Sequence, residues 1–266
     1  MEFLGDNMKF VLKKEKLEKL LEKMYVSGMF PTCVLSTKDG KVFSIQREDS
    51  GRALRMARFD KEYFEEIEEG PIESIQIEMK KFLSTIKKLP TGMLLTWETK
   101  GNKVSITGAY KDGRKVHPMF TYQQPDVEVM QKLTFEIEKG IPLVGKQKIP
   151  LDTCVDVDIT DFKDIFEYAS AMKTEFYKFM IEEGQFVVRV GDIHDVSDSN
   201  TFGIKSTIKK GEELETIFTY GIPEISSTFE KTVHINTRTK SPAWFYEGYK
   251  EYLLGVFIPP YSGAEE

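Results

Sequence analysis

Few residues of this chain have the types and spacing that catalysis or metal binding requires. His117, His194 and His234 are far apart in the sequence and show no metal-ligand spacing with Cys33 or Cys154. The chain contains no glycine-rich phosphate loop, no Gly-x-Ser-x-Gly nucleophile elbow and no Cys–His nucleophile pattern. We therefore expect no enzyme active site, no metal centre and no bound cofactor.

The segment GDIHDVSDSN, which starts at Gly191, is the richest cluster of potential metal ligands. Its carboxylates and imidazole could attract a divalent cation. The segment lacks the glycine and the distal glutamate of a calcium-binding loop, however. A polar loop between two strands is the simpler interpretation.

The elements that position the other side chains follow from composition and periodicity. The chain has 266 residues, of which 40% are hydrophobic, and this is enough for two domains of ordinary size. Its net charge of -6 does not by itself indicate a nucleic-acid-binding protein, although it is compatible with a local basic patch.

Two cysteines in apolar runs favour reduced, buried thiols. Because neither a signal peptide nor a membrane-spanning run is recognisable, we expect a soluble protein that is not secreted.

One strand-then-helix pattern recurs four times in the same register, with copies that start at Lys9, Ser74, Cys154 and Ile217. In each copy two inward strand residues, two apart, are followed at a fixed spacing by two apolar helix residues, four apart. These residues are Phe10, Leu12, Leu17 and Leu21 in the first copy, Ile75, Ile77, Phe82 and Ile86 in the second, Val155, Val157, Phe162 and Phe166 in the third, and Phe218, Tyr220, Ile225 and Phe229 in the fourth.

Short β-runs joined by turn signals lie between these copies. The signals are Asp39-Gly40, Gly101-Asn102 and Glu183-Gly184, each flanked by alternating apolar residues. Such runs are typical of hairpins. The repeating unit is therefore a strand, a helix and about three further strands.

The four copies predict an α+β fold with two similar domains, each a duplicated βαβββ unit. The domains are expected at residues 1–122 and 153–266. The stretch 123–152 contains several prolines and glycines. It is typical of an interdomain connector, with a short strand expected around residues 133–137.

This organisation resembles, over nearly the whole chain, the DNA sliding clamps of the proliferating-cell-nuclear-antigen (PCNA) type. Three segments carry the resemblance: DGKVFSIQREDSGRALRMARFDKEYFEEI with its turn around Phe64, VRVGDIHDVSDSN with a Gly-Asp pair, and the chain end KTVHINTRTKSPAWFYEGYKEYLLGVFIPPYSGAEE. In the last segment Pro259-Pro260 stands where the family usually has Ala-Pro. The resemblance implies the DNA-clamp fold, in which helices line the hole of a ring.

In such a ring the helices carry lysine or arginine opposite their buried face, which attracts phosphates without reading base sequence. The first two helices match this expectation, whereas the third and fourth carry more acidic residues. Because Glu15, Glu18 and Glu22 interleave with lysines on the first helix, an ordinary solvated face with i, i+4 ion pairs is the alternative. The lysines expected to contact double-stranded DNA are Lys13, Lys14, Lys16, Lys19, Lys23, Lys80, Lys81, Lys87, Lys88, Lys163, Lys209 and Lys210.

The resemblance also implies that edge strands pair between identical subunits and close a homotrimer. By position these strands are expected at residues 115–122 and 202–208, and the alternative is an ordinary pair of edge strands in a monomer. The expected interface residues are Lys115, Val116, Met119, Phe120, Phe202, Ile204 and Ile208.

Partners of PCNA-type clamps insert a short peptide, the PIP box, into an apolar pocket beneath the connector. The lining carried over by position is Leu54, Ile141, Leu143, Val144, Ile149, Pro242, Phe257, Pro259 and Pro260. Apolar residues that simply pack against the domains are the alternative. The implied partners are a DNA polymerase, the clamp loader and other replication or repair proteins with such a peptide.

Three functional hypotheses follow from the sequence. The first is a homotrimeric processivity clamp that encircles duplex DNA and tethers polymerases and other enzymes. The second is a specialised or heteromeric clamp subunit, which the weakly basic second domain favours. The third is a monomeric accessory or scaffold protein. The expected location is the cytoplasm, with the nucleoid, or the nucleus.

Overall fold

The chain forms two compact units in a computed structural model. The first comprises Met1–Asp49, Arg55–Val127 and Gly248–Leu254, and the second comprises Ser50–Leu54, Glu128–Glu247 and Gly255–Glu266. No helix in the described part of the chain is both long and apolar enough to cross a membrane. The structure describes residues 8–48, 53–68, 74–125, 135–138, 141–144, 147–192, 199–219 and 222–261.

Each of the four sequence copies has the helix that its pattern predicts. Every described residue that was expected to point inward is buried, and Tyr220 lies outside the described residues. The helices are Lys14–Tyr25 (α1), Met79–Lys87 (α2), Ile159–Ala171 (α3) and Ile222–Ser226 (α4).

The strands are short and mostly joined by tight turns. In the first unit they are Lys9–Lys13 (β1), Thr32–Lys38 (β2), Lys41–Arg47 (β3), Leu54–Phe59 (β4), Glu66–Ile67 (β5), Ser74–Glu78 (β6), Leu94–Lys100 (β7), Lys103–Ala109 (β8), Lys115–Val116 (β9) and Met119–Thr121 (β10), with Leu54 itself in the second unit.

The strands that follow belong to the second unit, except for the last residue of β21 and the start of β22. They are Phe135–Glu138 (β11), Ile141–Val144 (β12), Ile149–Pro150 (β13), Thr153–Asp158 (β14), Tyr177–Glu182 (β15), Gln185–Gly191 (β16), Ser199–Gly203 (β17), Ser206–Lys210 (β18), Leu214–Phe218 (β19), Thr232–Thr237 (β20), Ala243–Gly248 (β21) and Tyr252–Ile258 (β22).

In the first unit the two copies exchange strands. One sheet has the order β10-β8-β7-β1-β5, so the first strand of copy one joins the last strands of copy two. In the other sheet, of order β6-β2-β3-β4, the first strand of copy two joins the later strands of copy one. Residues 252–254 of β22 lie next to β4. Because each sheet needs strands from both copies, neither copy could fold alone.

The second unit repeats this exchange. Its sheets have the orders β18-β14-β20-β21-β22 and β17-β16-β15-β19. Strand for strand, β17 corresponds to β4 and β22 corresponds to β10. The two units are therefore versions of one duplicated α+β architecture, as the four sequence copies predicted.

The starts of three helices show the same exchange at atomic detail. The backbone N–H of Lys14 donates to the carbonyl of Met93, and that of Met79 donates to Pro31, at 2.8 and 2.9 Å. In the second unit Ile159 donates in the same way to Lys231 at 2.7 Å. Each first helical N–H, which has no partner inside its helix, is thus satisfied by the other copy.

The predicted hairpin turns have the backbone that tight β-hairpins require. Asp39 and Gly40 both have positive φ, of 52° and 68°, and Glu183 and Gly184 have 50° and 75°. Two successive residues with positive φ form the type I′ turn that matches the twist of the flanking strands. At the third turn Gly101 has the positive φ, of 62°.

The connector differs from the prediction of one short strand. Residues 135–138, 141–144 and 149–150 form a three-stranded antiparallel sheet of β11, β12 and β13. The sequence did not predict this sheet, because Pro142 and Pro150 lie within its strands and a proline inside an apolar run argues against a strand. The remaining connector residues up to 146, apart from 123–125, lie outside the described part.

Gly255 in β22 gives a stability prediction for the second unit. A Cβ atom at this position would lie 1.9 Å from Cη2 of Trp244, a fully buried side chain on β21. We expect Gly255→Ala to reduce the free energy of unfolding by about 2 kcal/mol or more, measured by urea denaturation. Gly248→Ala is the control, because no atom lies within 4 Å of its Cβ position. Equal midpoints for the two variants would contradict the prediction.

Candidate nucleic-acid and subunit interfaces

The sequence predicted that the lysines in and next to α1 lie on its exposed face, but only some of them do. Lys13 and Lys19 are exposed. The side chain of Lys14 is only 6% exposed and pairs with Glu18, and that of Lys23 is 7% exposed and lies over the ring of Tyr252. Lys14 and Lys23 are therefore packing residues, and their burial does not support the prediction that they contact DNA.

Lys16 is half-buried and has specific protein partners. Its ammonium group donates to the backbone carbonyl of Tyr63 at 2.8 Å and lies 5.1 Å from the centre of that ring. Glu251 is 3.6 Å away. Because these contacts hold it, Lys16 is at most a secondary phosphate ligand.

The lysines of α2 match the prediction more closely. Lys80, Lys81, Lys87 and Lys88 are all exposed, and α2 itself contains no acidic residue. Lys87 forms a 2.7 Å ion pair with Glu22 of α1, and the hydrogen bond in this pair raises the pKa of Lys87. Among the described residues, Lys80, Lys81 and Lys88 form no ion pair.

The glutamates of α1 are each occupied by a partner in the first unit. Glu18 pairs with the buried Lys14, and Glu22 pairs with Lys87. Hydrogen bonds from its own backbone N–H and from that of Gly92 lower the pKa of Glu15. The helix layer made by α1 and α2 consequently keeps an excess of positive charge at its surface.

The predicted lysines of the second unit lie in different places. Lys163 is exposed on α3. Lys209 forms a 2.5 Å ion pair with Asp156, whose side chain alternates with the buried Val155 and Val157 and so lies on the sheet face opposite the helices. Lys209 thus lies on the face away from α3, and its contact with DNA stays a prediction. Lys210 is exposed at the end of β18.

Asp156 also accepts a 2.6 Å hydrogen bond from His234, which stacks on Tyr246 at 4.9 Å. Burial alone would raise the pKa of Asp156, but the hydrogen bonds from Lys209 and His234 outweigh it and lower the pKa. The carboxylate therefore stays ionised at neutral pH. Cys154 lies two residues away on β14, but burial and the charge of Asp156 raise the pKa of its thiol, so it is not an activated nucleophile. The cluster is therefore a hydrogen-bonded, ion-paired group and not a catalytic triad.

The cysteines and histidines give no catalytic arrangement in the described residues. Burial raises the pKa of the Cys33 thiol to about 12, so it is protonated at neutral pH. His117 hydrogen-bonds to the hydroxyl of Ser105 at 2.6 Å. The described residues contain no group of three or more His, Cys, Asp or Glu that could hold a metal ion. The acidic residues Asp195 and Asp198 lie outside the described part.

The first predicted interface strand lies at a sheet edge. Lys115 and Val116 are on β9, and Met119 and Phe120 are on β10, both next to β8 in one continuous register. Met119 is 56% exposed, whereas Phe120 packs on Phe82 of α2 with ring centroids 4.2 Å apart. This edge is available for pairing in the described structure.

The second predicted interface strand was wrong in its extent. Residues 202–208 contain the end of β17 and the start of β18, which belong to different sheets. Phe202 is on β17, at a sheet edge, but Ile204 is buried between the strands and Ile208 pairs with Val155. A periodicity argument could not detect this break, because Phe202, Ile204 and Ile208 keep the same alternation across it.

Tyr168 of α3 and Met172, directly after this helix, are apolar surface residues that the sequence argument missed. Tyr168 is 39% exposed and meets the ring of Phe202 at 4.9 Å, and Met172 is 38% exposed and contacts Asn200. They extend the edge of β17 with an apolar patch. Their i, i+4 spacing, off the buried face of α3, was a signal that could have found them.

The residues predicted to line the peptide pocket all belong to the second unit. Leu54 is buried, Pro242, Phe257 and Pro260 are half-buried, and Ile149 and Pro259 are exposed. Beyond them the chain continues to Tyr261, whose N–H donates to Ile217 and whose ring packs on Phe176. Ile141, Leu143 and Val144 lie on β12. The pocket itself stays a prediction.

Comparison with known proteins identifies the fold. No protein-family model and no curated protein matches this sequence. Among solved structures, A. fulgidus PCNA bound to the C-terminal region of FEN-1 matches with a TM-score of 0.74 and 13% identity, covering 97% of this chain and 100% of that one.

PCNA from Entamoeba histolytica matches with a TM-score of 0.75 and 12% identity, over 96% of this chain and 98% of that one. Both likenesses cover nearly the complete length, whereas the identity is low. The duplicated units, their exchanged strands and these two matches agree. The chain has the fold of the PCNA-type DNA sliding clamps.

Proposed function

We propose that this chain is one subunit of a ring-shaped sliding clamp that encircles duplex DNA and tethers a polymerase and other replication or repair enzymes. The observation that carries the proposal is a pair of matching sheet edges. In the described part of the chain β10 ends one sheet of the first unit and β17 ends one sheet of the second.

The duplication predicts what pairs with these edges. Within the first unit β4 has the start of β22 beside it, so a strand of the β4 type accepts a strand of the β22 type. The edge strands β17 and β10 are of the same two types, since β17 corresponds to β4 and β10 corresponds to β22. We infer that β17 of one copy pairs with β10 of the next. This head-to-tail contact pairs both of these edges and can close a ring.

Side chains at both edges support this assignment. Met119 and Phe120 lie on β10, and Phe202 lies on β17, with Tyr168 of α3 and Met172 just after α3 beside this edge. Exposed aromatic and methionine side chains are enriched in the cores of protein interfaces. Three copies would close the ring, as in the clamps that this chain resembles.

The helix layer of the first unit supplies the surface for DNA. Lys13, Lys80, Lys81 and Lys88 are exposed and form no ion pair among the described residues. Ammonium groups on a helix surface attract phosphates and release counterions without reading sequence. A clamp needs only such weak contacts, because the closed ring holds it on the duplex.

Tethering requires a site for partner peptides, and we propose the second-unit residues Leu54, Pro242, Phe257, Pro259 and Pro260 together with β12 for it. A solved structure with this fold is described as PCNA bound to the C-terminal region of FEN-1, which supports peptide binding here. The chain acts as a tether and not as an enzyme. It would work beside the DNA, in a nucleoid or a nucleus.

The mass of the assembly is the first test. We expect size-exclusion chromatography with light scattering at micromolar concentration to give about three times the 30.7 kDa of one chain. A mass of 30.7 kDa would contradict the ring and favour the monomeric scaffold. A ring that fails to stimulate a polymerase on primed circular DNA with its loader would favour a specialised or heteromeric clamp.

A further inference from the structure

The four sequence copies allow the charges of the helix surfaces to be compared position by position. Leu17, Phe82, Phe162 and Ile225 begin the apolar i, i+4 pairs of the four helices, and they are taken as the first buried position of each copy. Just before this position the first unit has Lys16 and Lys81, whereas the second has Asp161 and Glu224. All four side chains are at least partly exposed. The charge at this position is therefore opposite in the two units.

Two other registered positions show the same reversal. Two residues after the first buried position, Lys19 corresponds to Asp164. Five residues after it, Lys87 corresponds to Glu167 in copy three and Glu230 in copy four. In copy one this position is Glu22, whose charge Lys87 neutralises in a 2.7 Å ion pair. Asp164 and Glu167 are exposed, and neither has an ion-pair partner among the described residues.

Three basic residues on strands of the second unit do not offset the negative charge of its helices, because acidic side chains lie close to them. Lys178 pairs with Glu215 at 2.5 Å, and Arg189 lies 3.8 Å from Glu182. Lys209 is paired with Asp156 on the sheet face opposite the helices. The helix α3 contains one lysine, Lys163, and three acidic residues, Asp161, Asp164 and Glu167.

We propose that the helix layer of the first unit alone holds DNA phosphates, and that the acidic helix layer of the second unit weakens this hold. The proposal rests on the sliding-clamp function and adds a division of labour between the units. An anionic surface beside a duplex raises the free energy of close approach, and the effect weakens with salt over a Debye length. In each subunit the helix layer of the first unit then attracts phosphates, and the helix layer of the second unit repels them.

The test removes the acidic charges of α3 without adding lysines. We expect the double variant Asp164→Asn, Glu167→Gln to bind a 30-base-pair duplex roughly fivefold more tightly at 50 mM salt, measured by fluorescence anisotropy. The gain should shrink to about twofold or less at 200 mM salt, because exposed charges are screened. Lys163→Glu should change the affinity far less than Lys80→Glu.

A matched control separates a local effect from net charge. Glu212→Gln, Glu213→Gln removes the same two charges from an exposed loop of the second unit before β19. An equal gain in this control, or no gain in the α3 variant, would overturn the proposal. A wild-type protein that forms no ring would instead contradict the sliding-clamp function, so the two failures are distinguishable.

Discussion

Replacing Lys80, Lys81 and Lys88 together by glutamate is expected to reduce clamp-dependent DNA synthesis by roughly 100-fold at physiological salt. These three lysines are exposed on or directly after α2, and no described acidic residue pairs with them. The change reverses three charges in each subunit, so it replaces phosphate attraction by repulsion. Synthesis would be measured on primed circular DNA with the polymerase and loader.

The choice of these three residues follows from the structure of the helix layer. Lys16 and Lys87 are left intact, because their contacts with Tyr63 and Glu22 contribute to packing of the first unit. A triple variant that unfolds would lose activity whether or not these lysines contact DNA. We therefore expect its urea midpoint to match the wild type, since surface substitutions usually change stability by about 0.5 kcal/mol or less each.

The control places the same charge change away from the helices. Lys38, Lys100 and Lys250 are exposed at hairpin turns, and replacing them by glutamate changes the net charge equally. This control should retain most of the activity. A loss as large as that of the α2 variant would show that net charge, and not the helix surface, governs DNA contact, and would contradict the assignment.

Local periodicity was sufficient to predict the duplicated fold. Phe82 and Phe162 occupy equivalent positions because a strand with period two must pass into a helix with period 3.6 at the same point in each copy. Their burial follows from that register, and so does the pairing of α1 with α2. The exchange of strands between copies was not predictable, since pairing depends on contacts between residues far apart in the chain.

Sequence reasoning also placed too many lysines at the surface. Lys14 and Lys23 are buried because aliphatic stems can pack while their charges find partners in Glu18 and the Tyr252 ring. Arg55 is fully buried and donates to the carbonyl of Lys23 at 2.9 Å, near the end of α1. Such partners come from distant parts of the chain, and no spacing rule identifies them.

Thr121→Pro should prevent ring assembly while leaving the subunit folded. Tyr122 donates its N–H to Asn102, and Ile106 donates to Pro118, so the alternation of an antiparallel ladder turns the N–H of Thr121 away from β8. Proline there removes an outward donor and adds a ring at the edge. We expect roughly 100-fold weaker association at each interface, or about 3 kcal/mol, and light scattering should give monomers.

Thr121→Ala is the control for Thr121→Pro, because it removes the side chain but keeps the outward N–H. It should assemble like the wild type. An intact ring formed by the proline variant would show that β10 is not the interface strand. Thr201→Pro tests the opposite edge, since Ile204 donates to Phe186 and the same alternation turns the N–H of Thr201 away from β16.

Mixing the two proline variants distinguishes head-to-tail pairing from any symmetric contact. A Thr121→Pro chain keeps an intact β17, and a Thr201→Pro chain keeps an intact β10. If β10 pairs with β17, one sound interface forms between the two chains, and both defective edges remain outside it. The mixture should then give dimers of about twice 30.7 kDa and no rings, whereas each variant alone stays monomeric. A contact of β10 with β10 would instead let the Thr201→Pro variant alone form a dimer, and a contact of β17 with β17 would let the Thr121→Pro variant alone form one.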